Sequence, residues 1–237
     1  MDQPIELQQA FWDEWNAGGR EQRLSDISTD QKEVVLGWLD ALGRTDLDII
    51  EVGCGAGWLC PGLKAFGRVT ATDLSADVLE RARQRVPGVE FVAGDFMTLG
   101  FAAAGYDVVI ALEVLAHVAD QPAFVARLAH LLRPGGLVML ATQNRPVLER
   151  YNRIPPPRPG NLRRWVDRSE LVQLLEPHFE VRDVLQISPR ADRGVLRLIA
   201  GRQARRLMRI VSGRSLERVI AAAGLGWTLM ALAQKRA

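Results

Sequence analysis

The stretch that decides the fold is Asp48-Ile49-Ile50-Glu51-Val52-Gly53-Cys54-Gly55-Ala56-Gly57, an apolar run that ends in alternating glycines. The apolar run predicts a buried strand, and glycine tolerates both a positive φ and the close approach of a ligand to the backbone. Gly53 and Gly55 can therefore hold a ligand against bare N–H groups at the start of the next helix. A glycine turn that binds no ligand is the alternative for this stretch taken alone.

The spacing of the glycines indicates which ligand this turn would bind. A dinucleotide-binding turn needs its third glycine where Trp58 stands, so NAD or FAD is the weaker interpretation. Glu51, two positions before the first glycine, can accept hydrogen bonds from an ammonium group such as that of S-adenosylmethionine. The residues from Glu51 to Gly57 resemble motif I of the class I S-adenosylmethionine-dependent methyltransferases.

Acidic residues follow the next two predicted strands. Asp73 ends a strand over 68–73, about 20 residues beyond the first glycine, where a carboxylate can accept both ribose hydroxyls. The alternative, Asp73 as the N-cap of the next helix, competes poorly because Ser75 can fill that role. In the methyltransferases that this pattern resembles, the acid at Asp95 accepts from the adenine amino group and the neighbour at Phe96 packs on the ring. The remaining candidates for cofactor binding are Leu74 and Leu112.

The segment Glu113-Val114-Leu115-Ala116-His117-Val118 follows the predicted strand over 106–112. It resembles the corresponding motif of the ubiquinone-biosynthesis O-methyltransferase branch. His117 is the candidate catalytic base, because it alone of the three histidines falls at the carboxyl edge of a strand; a capping or supporting role is the alternative. Members of that branch that recruit a divalent cation have a second carboxylate where this chain has Ala116. The resemblance therefore predicts no required metal.

The resemblance covers about residues 48–143 and implies a fold for the whole chain. That fold is a single α/β domain over 1–237, with the Rossmann-like, doubly wound, seven-stranded sheet of class I methyltransferases and an antiparallel last strand at 226–233. The predicted parts are a helical N-terminal cap over 1–46, a cofactor-binding core over 47–143, a lid loop over 144–168 and a helical insertion over 189–224.

The flanking segments carry local signals of their own. Aromatic residues within 5–16 predict an amphipathic helix that either caps the cofactor cleft or only packs on the core. Ser28-Thr29-Asp30 predicts the start of a second helix, and Trp58 to Phe66 a crossover helix. Further on, the pattern predicts a helix over 169–179 that Ser169 caps, and a strand over 180–185.

The amino-acid composition limits the kinds of partner that this protein is expected to bind. The net charge of +2 argues against a dedicated nucleic-acid binder, although the insertion over 189–224 carries nine arginines against two acids. Those arginines predict either contact with an anionic membrane surface or substrate, or a solvated face over a helix packed on the core. The polar first residues, the absence of a long apolar stretch and the two thiols favour a cytoplasmic protein, peripheral at the membrane in the first case.

Together these features predict methyl transfer from S-adenosylmethionine to a small-molecule acceptor, with an oxygen as the favoured target. A nucleic-acid methyltransferase is the first alternative, but the chain lacks the Asn/Asp-Pro-Pro-aromatic pattern that grips a base amine, and no aromatics interleave the arginines of the insertion. A non-catalytic S-adenosylmethionine-binding protein is the second alternative. A dehydrogenase is a remote third.

Overall fold

The computed structural model describes residues 4–17, 25–194, 197 and 219–236. Its centre is a seven-stranded sheet in the order β3-β2-β1-β4-β5-β7-β6. Strands β1 to β5 are parallel to one another, and β7 runs antiparallel to both of its neighbours, β5 and β6. The predicted fold class and the antiparallel last strand are confirmed. The strands are β1 (Leu47–Val52), β2 (Gly67–Asp73), β3 (Glu90–Ala93), β4 (Tyr106–Leu112), β5 (Leu132–Gln143), β6 (Phe179–Pro189) and β7 (Gly226–Lys235).

Helices cover both faces of the sheet, as the crossover connections between parallel strands require. A short 3₁₀ turn, Leu115–His117, follows β4, and a π-helical turn, Ala221–Leu225, precedes β7. The α-helices are α1 (Ile5–Ala17), α2 (Asp26–Asp40), α3 (Cys60–Leu63), α4 (Ala76–Arg85), α5 (Gln121–Leu131), α6 (Arg145–Tyr151) and α7 (Arg168–Leu175).

The core lies on both faces of the central strands. In β1, Leu47 and Ile49 face one buried cluster, whereas Ile50 and Val52 face the other. Side chains alternate between the faces of a strand, and both faces here are covered, so β1 and β4 read as nearly continuous apolar runs. The same alternation determines the face to which the side chain of Glu51 points.

Three predicted helix boundaries differ from the structure. Helix α2 begins at Asp26 rather than near Ser28, because the Ser25 side chain accepts a hydrogen bond from the Ser28 backbone N–H and caps the helix earlier. Helix α7 is capped by Asp167 instead of Ser169, in a reciprocal capping box with Glu170. The predicted crossover helix over 58–66 is reduced to the single turn of α3.

The predicted lid loop over 144–168 is also partly wrong, because it contains helix α6, which has a proline in its first turn. The irregular part is shorter and covers 152–165; we call it the strap. A single bridge between Asn144 and Val166 joins the two ends of this region. Strand β5 begins at Leu132, and its pairing with β4 shifts register between Tyr106 and Val108. Strand β6 extends to Pro189, beyond the predicted strand over 180–185.

Most of the predicted insertion, including most of its arginines, lies outside the described residues. The structure describes it only at its two ends, up to Gly194 and from Val219, and at Arg197. Within the described ranges, no helix combines the length and apolar character that crossing a bilayer requires.

Candidate functional site

A cavity of about 590 Å³ opens at the carboxyl ends of β1 to β4. This edge contains the point where the chain winds away from β1 in both directions, to β2 on one side and β4 on the other, and ligands of open α/β sheets bind at such points. Helices α1 and α2 and the strap also contribute to its walls. Its volume falls in the range of about 300–1,000 Å³ typical of small-molecule and cofactor sites.

The glycine turn after β1 forms one part of the cavity wall. The N–H groups of Gly53 and Cys54 both donate to the Thr72 carbonyl, which ties the turn to β2. Gly53 and Gly55 both have positive φ, but they differ in surroundings. A Cβ on Gly53 would lie 2.3 Å from Val114 Cγ2, whereas a Cβ on Gly55 would meet only Asn16 Oδ1, at 3.9 Å. Gly53 is therefore required by packing, and Gly55 leaves space facing the cavity.

Asp73 lies on the cavity wall at the end of β2. Its carboxylate accepts from the Gly55 N–H at 2.8 Å and from the Ser75 N–H at 3.0 Å, so it braces the glycine turn. Each carboxylate oxygen can accept a further hydrogen bond. Ser75 caps α4 by accepting from the Val78 N–H, as the sequence predicted. Burial raises the pKa of Asp73 despite these bonds, and further hydrogen bonds donated to its charged form would oppose this shift.

Asp95 and Phe96 follow β3 and line the same cavity. Asp95 accepts from the Met97 N–H at 3.0 Å through one oxygen. The Phe96 ring is 8% exposed and packs edge-to-face against Phe124, with 5.5 Å between the ring centroids. Leu74 and Leu112 add apolar surface to the cavity. The structure thus brings together an acid and an apolar wall suited to a purine base.

Glu51 is the predicted site residue that the structure places apart from the cavity lining. Alternation along β1 points its side chain to the same face as Ile49, where its carboxyl accepts from the Cys60 thiol at 3.2 Å. The side chain is 2% exposed, and burial raises its pKa to about 8. The Glu51 side chain points away from the cavity, and this direction does not favour the predicted contact with an ammonium group.

The raised pKa of Glu51 predicts a pH dependence of stability. The folded protein keeps this proton up to about pH 8, whereas the unfolded chain releases it near 4.5. The free energy of unfolding should therefore fall as pH rises through this window, by on the order of a few kcal/mol. We expect Glu51→Gln to flatten this decline, measured by urea unfolding of the ligand-free protein from pH 5 to 8. A variant that keeps the wild-type slope would contradict the assignment.

His117 lies on the cavity wall in the turn after β4. Its Nδ1 is 2.7 Å from the Leu162 carbonyl, which can only accept, so Nδ1 carries the proton and Nε2 is left with its lone pair. Burial lowers the pKa of His117 to about 4; the bond to Leu162 opposes this shift and the charge of Arg163 adds to it. At neutral pH the ring is uncharged and can accept a proton at Nε2.

Helix α1 and the strap pack against each other at the cavity. Trp12 meets the His117 ring edge-to-face at 4.7 Å, and both residues line the cavity. Gly160 of the strap has φ +82°, and a Cβ there would lie 2.2 Å from the Leu7 carbonyl oxygen. Arg158 pairs with Glu14 at 3.1 Å and lies over the Phe11 ring. The aromatic face of α1 thus contacts both the strap and the cavity.

Comparisons with known proteins identify the central part of the chain that forms this cavity. A family model described as a methyltransferase domain matches residues 50–140. The chain is 33% identical over 142 residues to a Mycolicibacterium smegmatis protein named "Probable S-adenosylmethionine-dependent methyltransferase", covering 59% of this chain and 54% of that one. It is 40% identical over 104 residues to the ubiquinone biosynthesis O-methyltransferase of Methylocella silvestris, covering 42% and 41%. Residues 50–140 thus form a methyltransferase domain of the S-adenosylmethionine-dependent type.

The comparison with solved structures extends the similarity of fold to the whole chain. A Burkholderia thailandensis 1,6-didemethyltoxoflavin-N1-methyltransferase, solved with bound 1,6-didemethyltoxoflavin and S-adenosylhomocysteine, superposes with a TM-score of 0.64 at 21% identity, over 100% of this chain and 92% of that one. The two curated matches each span about half of those relatives' length, or less. These partial matches therefore do not identify the methyl acceptor of this protein.

A polar cluster that the sequence did not predict also borders the cavity. Glu113, at φ +63°, accepts from Gln31 Nε2 at 2.5 Å and from the Thr228 hydroxyl at 3.4 Å. Burial raises the pKa of Glu113 to about 7. Gln143 also lines the cavity, and its Oε1 is buried without a partner among the described residues. One signal was present in the sequence, since Gln31 is a polar residue on the apolar stripe of α2.

Proposed function

We propose that this protein transfers a methyl group from S-adenosylmethionine to an oxygen atom of a small-molecule acceptor. The observation that carries the proposal is that one cavity holds Asp73, Asp95 and the open face of Gly55 together with the unprotonated Nε2 of His117. The first group suits a nucleoside, and the last suits a hydroxyl that must lose a proton.

Three observations support the cofactor end of the proposal. The carboxylate of Asp73 has acceptor capacity left for ribose hydroxyls, and Asp95 and Phe96 offer an acceptor and an apolar surface for adenine. At Gly55 a ligand can approach the backbone, because any larger side chain there would project into the cavity. Thr72 also lines the cavity, and its buried hydroxyl has no hydrogen-bond partner among the described residues. A bound ligand or a water molecule can supply that partner.

The chain has few chemical tasks in this reaction. When bound, S-adenosylmethionine supplies a methyl group that its positive sulfur already activates, so alignment and exclusion of water dominate. Trp12 and the strap contribute apolar walls to the cavity. His117 accepts the acceptor's hydroxyl proton at Nε2, while Leu162 holds the ring through Nδ1.

Two binding measurements and one transfer assay test this function. Calorimetric titration with S-adenosylhomocysteine should show binding, and NAD should bind more weakly or not at all. Incubation with methyl-labelled donor and fractionated cell extract should then label a small-molecule fraction. Label in RNA or DNA would favour the nucleic-acid alternative. Binding of S-adenosylhomocysteine without transfer to any fraction would favour the non-catalytic alternative.

Independence from metal remains a prediction of the proposed function. Ala116 stands where a second carboxylate would be needed, and no group of three or more His, Cys, Asp or Glu side chains suited to a metal occurs in the described part of the chain. Glu113 and His117 alone offer Mg²⁺ one oxygen-bearing side chain and an imidazole, a poor set for a hard cation. We expect EDTA to leave transfer unchanged. Inhibition by EDTA that Mg²⁺ reverses would contradict this.

The contact of the arginine-rich insertion with an anionic surface also remains a prediction. We propose that its arginines attach the protein to anionic membranes, since each basic residue near such a surface adds roughly 1 kcal/mol. Co-sedimentation with phosphatidylglycerol vesicles at low salt, lost at high salt and missing with phosphatidylcholine vesicles, is the expected result. No co-sedimentation at low salt would leave the arginines as a solvated face.

A further inference from the structure

Part of the cavity wall carries arginines. Arg153 and Arg163 belong to the strap, and Arg190 follows β6. These three residues come from two segments and line one cavity, together with Trp165 and Trp227. The three acids that line it in the described part of the chain are Asp73, at the end of β2, Asp95, after β3, and Glu113, after β4.

The strap directs Arg163 toward the cavity by simple alternation. Asn161, Arg163 and Trp165 line the cavity, whereas Leu162 and Arg164 between them do not. The Leu162 carbonyl accepts from His117, and Arg164 donates through Nη1 to the Ala119 carbonyl. Neighbouring arginines of the strap thus have different surroundings, one on the cavity and one on the exposed side.

The guanidinium of Arg163 is held in place by uncharged groups. It lies over the Trp165 ring at 5.8 Å and donates to the Pro155 carbonyl at 2.6 Å. With its amide oxygen turned to face Arg163, Asn161 accepts from Nη2 at 3.1 Å and from Nε at 3.2 Å. Arg190 is ordered in a similar way, over the Trp227 ring at 5.2 Å. A pre-positioned guanidinium loses less entropy when it binds a planar anion.

The guanidinium groups of Arg153 and Arg163 form no ion pair within the described part of the chain. Asp192 accepts from the backbone N–H of Arg153 at 2.8 Å, not from its guanidinium. Burial disfavours the charge of Arg163 and lowers its pKa, and no acidic neighbour offsets this. An anion bound at this point would restore the balance of charge.

We propose that the methyl acceptor is a planar small molecule with a carboxylate or phosphate group, which Arg163 binds with help from Arg153 and Arg190. This inference rests on the proposed function, and it names the class of acceptor. The Trp165 and Trp227 rings provide flat walls beside the anion. The Leu162 carbonyl that orients His117 precedes Arg163 directly in the chain, so the anionic group is held close to the base. Anion binding therefore positions the hydroxyl at Nε2.

The test uses simple anions on the protein saturated with S-adenosylhomocysteine. The probes are benzoate, phenyl phosphate and the neutral analogue benzamide, and the readout is quenching of the fluorescence of the tryptophans that line the cavity. We expect at least one anion to bind roughly tenfold or more tightly than benzamide, because a charge-assisted bidentate contact is lost with the neutral group. The tighter of the two anions distinguishes a carboxylate from a phosphate acceptor.

Variants of the two neighbouring arginines provide the matched control. Arg163→Gln should abolish the preference for anions, Arg163→Lys should retain part of it, and Arg164→Gln should retain it fully. Equal binding of benzamide, no binding of either anion at millimolar concentration, or equal losses in Arg163→Gln and Arg164→Gln would each overturn the proposal.

A further measurement separates this site from the carboxylate end of the cofactor. S-adenosylhomocysteine carries a carboxylate that 5′-methylthioadenosine lacks. Arg163→Gln should leave the affinity for both compounds unchanged. A selective loss of S-adenosylhomocysteine affinity would assign Arg163 to the cofactor and overturn the inference. Failure of the wild type to bind S-adenosylhomocysteine would instead overturn the proposed function itself.

Discussion

Turnover is expected to fall by about 10²- to 10⁴-fold when His117 is replaced by alanine, because loss of a general base acts on the chemical step. The reason is the arrangement of the ring, in which Nδ1–H is bound to the Leu162 carbonyl and Nε2 keeps its lone pair on the cavity wall. The assay follows methyl transfer from labelled donor to the acceptor that the extract screen identifies.

A glutamine variant distinguishes the base from a purely structural role. His117→Gln can still donate to Leu162 and keep the strap in place, but it cannot take a proton. Both variants should bind S-adenosylhomocysteine as the wild type does, since a base contributes to the chemical step rather than to donor binding. Transfer at the wild-type rate in His117→Gln would return His117 to the role of holding the strap.

The lowered pKa of His117 also predicts a pH profile. The imidazole is an effective base only when it is unprotonated, and burial lowers its pKa to about 4. Transfer should therefore not decline near pH 6.5 on account of this residue, and should be lost only as pH falls toward 4. An ionisation with a pKa near 6.5 that disappears in His117→Gln would contradict the buried, neutral imidazole.

The second large effect is expected for Asp73→Ala, which should weaken the binding of S-adenosylhomocysteine by about 10²-fold or more. Two charge-assisted hydrogen bonds to ribose would be lost, each contributing about 1.5–3 kcal/mol. The structure adds a cost in stability, because the same carboxylate accepts from Gly55 and Ser75. Calorimetric titration at a temperature where the variant remains folded measures the affinity, and urea unfolding measures the stability.

Ser75→Ala is the matched control for this experiment. It removes the side-chain cap of α4, at a cost of about 1 kcal/mol, and leaves the carboxylate of Asp73 in place. Ser75→Ala should therefore lower stability without a comparable loss of affinity. If both variants lose affinity equally, the effect of Asp73 comes from the packing of the turn rather than from contact with ribose.

Local patterns in the sequence predicted the elements that position the cofactor end. The apolar run before Gly53 predicted β1, and the next two apolar runs placed Asp73 and Asp95 at the ends of strands. These predictions worked because strand period, turn chemistry and crossover spacing act over a few to about twenty residues. The helix starts were less accurate because several neighbouring Ser, Thr and Asp residues compete for each cap, as at Ser25 and Asp167.

By itself, the sequence determined the parallel α/β core and placed Asp73 and Asp95 at the ends of strands, and its resemblance to class I methyltransferases predicted the antiparallel last strand. Only the tertiary structure decided that Glu51 faces Cys60, that Gln31 meets Glu113, and that Arg163 rather than Arg164 lines the cavity. The physical reason is that such choices depend on which face of an element is covered, and on contacts between residues far apart in the chain, such as Gln31 and Glu113, which are 82 positions apart. No local pattern encodes them, because the covering partner is distant in the chain.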